Sequence, residues 1–287
     1  MAQPVSDASR GTRRRELLLT FLLVASGSAA LMHQAAWFRL LMPVLGVGVL
    51  SAAAVSSGAL IGLAVGALLG GRIADRSGRP GVVFAVAELV AAACCLAIPW
   101  GVGLVDAVVD MLPAQGEQAG GTLSDLVATL AAVLVCGVAA VPMGATLPAA
   151  VRSLGAGRGS VGAAFRRLYG WNTVGAVAGV ALAVGVLLEQ TGNRGLIVVA
   201  SAIQAGVGLL ALLCFLPRRG TGPDPSPSSA VPRHLGWAAF LAGGAGLAVQ
   251  VAWVRRITPV VGNTTYAFAS VLATYLLALA LGSLLLG

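Results

Sequence analysis

Apolar runs of about twenty residues alternate along this chain with short stretches that hold most of its charge. A helix needs roughly 20 mostly apolar residues to cross a bilayer. Eight segments reach that length: 17–36, 48–71, 81–100, 126–149, 168–188, 195–216, 235–254 and 264–287. The pattern predicts an all-α polytopic membrane protein with about eight transmembrane helices. The first segment has the outline of a secretory signal, with Arg13, Arg14 and Arg15 before it and small residues at 26–30. A Gly-x-Ala-x-Leu-x-x-Gln pattern near its end recurs at 243–250, so it reads as a retained helix.

Composition supports that class. Hydrophobic residues make up 58% of the 287 and charged residues 10%, where a soluble domain carries roughly 25% charged residues. Mean hydropathy is +0.93. A net charge of +8 would ordinarily point to nucleic acid. Here the basic residues, all Arg, sit in short loops between apolar runs, which speaks for lipid as the partner and against nucleic acid. Cys94, Cys95, Cys136 and Cys214 lie inside apolar segments with no CxxC spacing, so they read as small buried hydrophobes. Neither a metal site, nor a cofactor, nor a catalytic constellation is expected.

The chain repeats itself. Gly27–Gly71 aligns without a gap on Gly243–Gly287, with 19 of 45 positions identical, among them the rarer pairs Gln34/Gln250, Trp37/Trp253, Arg39/Arg255 and Pro43/Pro259. Such self-similarity marks a duplicated unit. Counting arginines orients it: with the N-terminus cytoplasmic, fourteen fall on the cytoplasmic side and four (Arg39, Arg194, Arg255, Arg256) outside. The outer loop at about 101–125 has Asp106, Asp110, Glu117 and Asp125 and no base. Six crossings separate the copies, so both enter the membrane in the same direction. Two six-helix halves related by an axis along the membrane normal resemble the plan of the major facilitator superfamily. The expected organisation is a cytoplasmic arm at 1–16, a first half at 17–216, a Pro- and Ser-rich linker at 217–234, and the first two helices of a truncated second half at 235–287.

Several positions carry candidate roles. Gly71, Asp75, Arg76, Gly78 and Arg79 lie in a Gly-Arg-Ile-Ala-Asp-Arg-Ser-Gly-Arg stretch between the second and third helices. It resembles the cytoplasmic loop signature of the facilitator superfamily, with a tight turn at Gly78 and an acid placed to meet arginines or a helix N-terminus. Gly58, Gly62, Gly66 and Gly70 recur at every fourth position and share one face, a surface for close helix approach. Glu88 is the one acid deep in an apolar segment, where it costs roughly 2.5–3.5 kcal/mol on insertion scales. It is either a proton- or cation-binding group or a structural acid bonded to a neighbouring helix. Trp37, Arg39, Trp253 and Arg255 read as interface anchors. Gln34 and Gln250, one turn deeper, are candidates with Glu88 and Asn172 for a shared cavity; His33 is a weaker one. Pro142 to Pro148 at the end of helix four, and Tyr169 to Ala176 opening helix five, are expected to kink or free backbone groups.

Gly27-Ser28-Ala29-Ala30-Leu31, Gln34, Trp37, Arg39 and Ala74-Asp75-Arg76, with Met143-Gly144-Ala145-Thr146-Leu147-Pro148 and Asn172-Thr173-Val174-Gly175-Ala176, are together similar to the membrane region of spermidine synthase-like membrane proteins. In that family a facilitator-like part precedes a soluble aminopropyltransferase-like domain. The resemblance implies a transporter-like domain handling a small cationic solute such as a polyamine. Its alternative is a membrane anchor for a soluble synthase domain that these residues do not contain; a non-functional truncation of either is a third expectation. No enzyme activity is expected of this chain. It is read as a truncated chain or a fragment of a longer one, multi-pass in the cell's inner (plasma) membrane, with self-association as a further partnership.

Overall fold

The structure, a computed structural model, describes residues 4–45, 48–111, 121–155, 161–216, 233–262 and 265–285. They form α1 (Pro4–Leu45), α2 (Gly48–Arg76), α3 (Pro80–Asp110), α4 (Gly121–Ser153), α5 (Val161–Leu182), a π-helical segment (Ala183–Leu187), α6 (Leu188–Phe215), α7 (Arg233–Val261) and α8 (Thr265–Leu285). No strand occurs among the described residues.

Seven helical runs among the described residues are long and apolar enough to cross a membrane, against the eight segments expected. The difference lies in Val161–Phe215, one run of 55 residues that holds both the predicted 168–188 and 195–216 segments. At about 1.5 Å per residue such a run would extend roughly 80 Å if straight, far beyond a hydrocarbon core of about 30 Å. It breaks at Gly192, whose φ of 66° and ψ of −173° are non-helical and suit glycine, which has no Cβ to clash. Arg167, early in α5, pairs with Glu16 near the start of α1. Asn193 then reaches the Ala36 carbonyl two-thirds of the way along α1, and Phe215 packs on Gly81 at the start of α3. The run doubles back at the glycine.

Helix ends depart from the sequence reading. α1 continues back to Pro4, so the expected arm is helical from there on. α2 runs to Arg76, placing Gly71, Asp75 and Arg76 in its last turns rather than in a loop. The turn is only Ser77-Gly78-Arg79, and Pro80 opens α3 at a position where its missing N–H is no loss. Gly78 is not among the residues with positive φ. The turn is held instead by Ser77, whose N–H bonds the Ile73 carbonyl and whose Oγ accepts from the Arg79 N–H. α3 and α4 extend to Asp110 and from Gly121, shortening the expected 101–125 loop. Pro142 and Pro148 are both inside α4, which passes through them to Ser153. Tyr169 to Ala176 likewise lie within α5, not at its start. Glu117 and linker residues 217–232 lie outside the described residues.

Packing follows from small residues, since lipid gives helices no hydrophobic reason to associate. A Cβ on Gly58, Gly62, Gly66 or Gly70 would run into α4 at Val133 to Ala145. α2 and α4 therefore lie parallel at near backbone contact. α1 and α5 do the same through Gly175 and Gly179, which face the backbone at Val24 and Ser28, and Gly27, which faces Asn172. α3 and α6 run antiparallel with Gly208 against Leu89. α8 packs on α5, Ser283 and Leu284 lying over Gly170. α7 contacts α2 and α8 but is mostly exposed. The outward face is apolar: Phe21, Leu68, Leu104, Leu134 and Leu213 are all more than half exposed. A surface of that kind is stable against acyl chains and not against water. The chain is a multi-pass membrane protein.

Candidate functional site

The bundle interior is two apolar clusters with a polar layer between them. One cluster gathers Leu19, Leu22, Leu23, Phe84, Ala85, Leu168, Val207 and Ala211. The other gathers Ala35, Trp37, Phe38, Ala91, Cys95, Ala176, Leu196 and Ala200. On α3 the side chain between Ala85 and Ala91 that is both buried and polar is Glu88. On α6 the corresponding pair, between Ala200 and Val207, is Ser201 and Gln204. On α1 the polar positions are Ser26 and, two turns further on the same helix face, His33. All five are 5% exposed or less, and Glu88, His33 and Gln204 are at 0%.

Ser26 Oγ donates to Glu88 Oε1 at 2.6 Å. Gln204 lies close enough to His33 and to Glu88 to interact with either, while its amide meets hydrogen-bond geometry with neither. Glu88 Oε2, both ring nitrogens of His33, Ser201 Oγ and both amide atoms of Gln204 are buried without a hydrogen-bond partner in the described chain. His33 stacks on Trp37, ring centroids 6.2 Å apart. Buried polar atoms are normally paired, and each that is not costs about 1–3 kcal/mol. The density of unpaired ones in these three helices makes the layer the candidate functional site. Two threonines at the same level need no partner from it: Thr146 donates to Met143 O on α4 and Thr173 to Tyr169 O on α5.

The expected cavity set is not brought together. Glu88 sits on α3, bonded to Ser26 of α1 and beside Gln204 of α6. Gln250 is buried on α7, donating from Nε2 to Ser56 Oγ of α2 at 3.2 Å. Gln34 is half-buried on α1, and Asn172 is half-buried on α5 against Gly27. Asp75 pairs with Arg152 at the end of α4, Oδ1 to Nε 3.2 Å; Arg76 and Arg79 are exposed. The anchor reading needs correction at one position. Trp37 is 0% exposed, inside the larger apolar cluster and stacked on His33, whereas its copy Trp253 is 57% exposed. Arg39 and Arg255 are both exposed.

Sequence reasoning missed Ser26, Ser201 and Gln204. The signal was present for Gln204, a lone amide inside an apolar run, three residues from Ser201 and so on its face. Among the described residues no group of three or more His, Cys, Asp and Glu could hold a metal ion. No protein-family model, curated protein or solved structure matches the chain.

Proposed function

We propose that this chain is a transporter-like membrane domain with a major facilitator-like plan, moving a small cationic solute of the polyamine class between two rocking units. The observation that carries the reading is the polar seam between the repeat copies. Gln250 of the second copy bonds Ser56 of the first in a buried position, and Tyr266 of α8 donates to Glu189 Oε1 beside the α5–α6 turn. Polar contacts of this kind between two membrane units can be exchanged, and they stand beside apolar packing of α8 on Gly170 of α5 and of Phe268 on Phe38. The arginine bias supports a cytoplasmic N-terminus in the plasma membrane. The likeness to spermidine synthase-like membrane proteins supports the solute class and nothing more specific.

Uptake of labelled spermidine into proteoliposomes holding the purified chain tests this. Saturable uptake above protein-free vesicles, reduced in Gln250→Ala at equal membrane incorporation, is the expected result. Uptake no greater than in empty vesicles for spermidine, putrescine and simple ammonium ions would leave the chain an anchor.

A further inference from the structure

We infer that the Ser26–Glu88–Gln204–His33 layer is a proton-exchange site inside the first six-helix unit. Glu88 presents its carboxyl to Ser26 of α1 and lies beside Gln204 of α6, and His33 of α1 lies next to the same Gln204. Glu88 Oε1 is held by Ser26, which leaves Oε2 as the free oxygen. In the exchange Oε2 takes a proton from hydronium to give the neutral acid and water, and gives it back to water to restore the carboxylate. Nothing is oxidised and no other reactant is needed.

The occupant is small. Ser26, Glu88 and Gln204 are sealed between the two apolar clusters and His33 lies within one of them, so a polyamine has no room in the packed state. A hard metal cation would need several oxygen ligands, and the set here is one carboxylate with an imidazole and an amide. An imidazole and a carboxyl group are, by contrast, the side chains that most readily trade a proton near neutral pH. Among the described residues the groups facing Glu88 are few: Ser26 from α1, Gln204 from α6 with His33 beyond it, and on α3 itself Cys95, with Cys94 of α3 and Cys136 of α4 next to that. No arginine is among the groups that interact with Glu88, so no fixed positive charge locks the carboxylate. The second copy lacks the α1 half of the layer, having Ala242 and Val249 where the first has Ser26 and His33.

That such exchange drives solute movement rests on the transporter reading; the exchange itself does not. The test is infrared difference spectroscopy of the purified chain in lipid nanodiscs as pH is stepped between about 5 and 9, a window above the ordinary range of exposed carboxyls and inside that recorded for buried ones. The expected result is a protonated-carboxyl stretching band that changes reversibly, is absent in Glu88→Gln, and shifts its midpoint by about one unit in His33→Asn, as coupled groups do. A wild-type spectrum with no such band over the window, or a band that persists in Glu88→Gln, overturns the proposal. Because the wild-type spectrum alone can refute it, failure of a variant to fold does not protect it. Uptake that responds to an imposed pH gradient in wild type and not in Glu88→Gln links the site to transport. A titrating band without any uptake upholds the proton site while refuting the transporter.

Discussion

Replacing Gly66 by alanine isolates the glycine seam between α2 and α4. The new Cβ would collide with the Val141 carbonyl, lying 2.8 Å from its carbon and 3.0 Å from Gly144 Cα. All of these are backbone atoms, so no side chain can swing aside. Ordinary contact begins at 3.4 Å, and the helices must part locally by at least about 0.6 Å to reach it. Gly62 and Gly70 flank the site and meet α4 as closely, so the separation spreads along the seam. Alanine gains up to about 1 kcal/mol over glycine as a helix former, while overpacking of a tight interior costs about 1–3 kcal/mol. The net expectation is a loss of up to about 2 kcal/mol. Gly206→Ala is the matched control: Gly206 is exposed on α6 with nothing within 4 Å of its added Cβ. It keeps the propensity gain and loses nothing. Unfolding by SDS titration in mixed micelles, followed by circular dichroism, should rank Gly206→Ala above Gly66→Ala by about 1–3 kcal/mol, the cost of the clash alone. Equal stabilities, or the reverse order, would refute the close parallel packing of α2 on α4.

The two repeat tryptophans should behave unlike each other. Trp37→Ala, in the core, should lose about 3–5 kcal/mol, while Trp253→Ala, more than half exposed, should fall within about 0.5 kcal/mol of wild type in the same titration. Ser26→Ala removes the one donor to Glu88 and should cost about 1–3 kcal/mol; the loss should largely vanish if measured in a Glu88→Leu background, and an unchanged loss there would deny the pairing. Asp75→Asn breaks the Arg152 pair, whose partners are 63% and 22% exposed, and should change stability by less than about 1 kcal/mol; a double-mutant cycle with Arg152→Gln measures it.

Apolar run length was enough to place the helices, because the demand that every backbone group in lipid be satisfied leaves helix as the only local answer. Their ends were less legible. The apolar pattern ends α2 at Gly71, where charge begins, yet helical hydrogen bonding carries polar Arg72 to Arg76 as readily outside the apolar region as inside it. The turn between α5 and α6 was placed only to within a few residues, since Thr191, Gly192 and Asn193 are all turn formers and only the backbone shows that Gly192 takes the positive φ. Glu88 stood out because one carboxylate in an apolar run is conspicuous. Its partners did not, because serine and glutamine are common enough in membrane helices that spacing within one helix cannot say which face meets which. Trp37 was misplaced for a related reason: the pattern shared by both copies gives one residue, but burial depends on which other helices lie over it.

That last point bears on how the duplicated unit can work. Matching residues at 34/250, 37/253 and 39/255 preserve the shape of the first helix in each copy, while the positions that make the polar layer, Ser26 and His33, are Ala242 and Val249 in the second. A duplication that kept only architecture would have no cause to keep, in one copy, His33 with both ring nitrogens unpaired or the Ser26 that holds Glu88. One that needed the same chemistry twice would keep them in both. The proposed reading is a division of labour, in which the first unit would carry the proton layer and the second would meet it across contacts such as Gln250 on Ser56. Restoring the layer tests this directly. Ala242→Ser with Val249→His places a second hydroxyl and imidazole on α7, where the exposed Ala242 and Val249 have room for them. The division of labour predicts that the double variant leaves the midpoint of the Glu88 carboxyl band unchanged, and a shifted midpoint would show that the two copies share one titrating site.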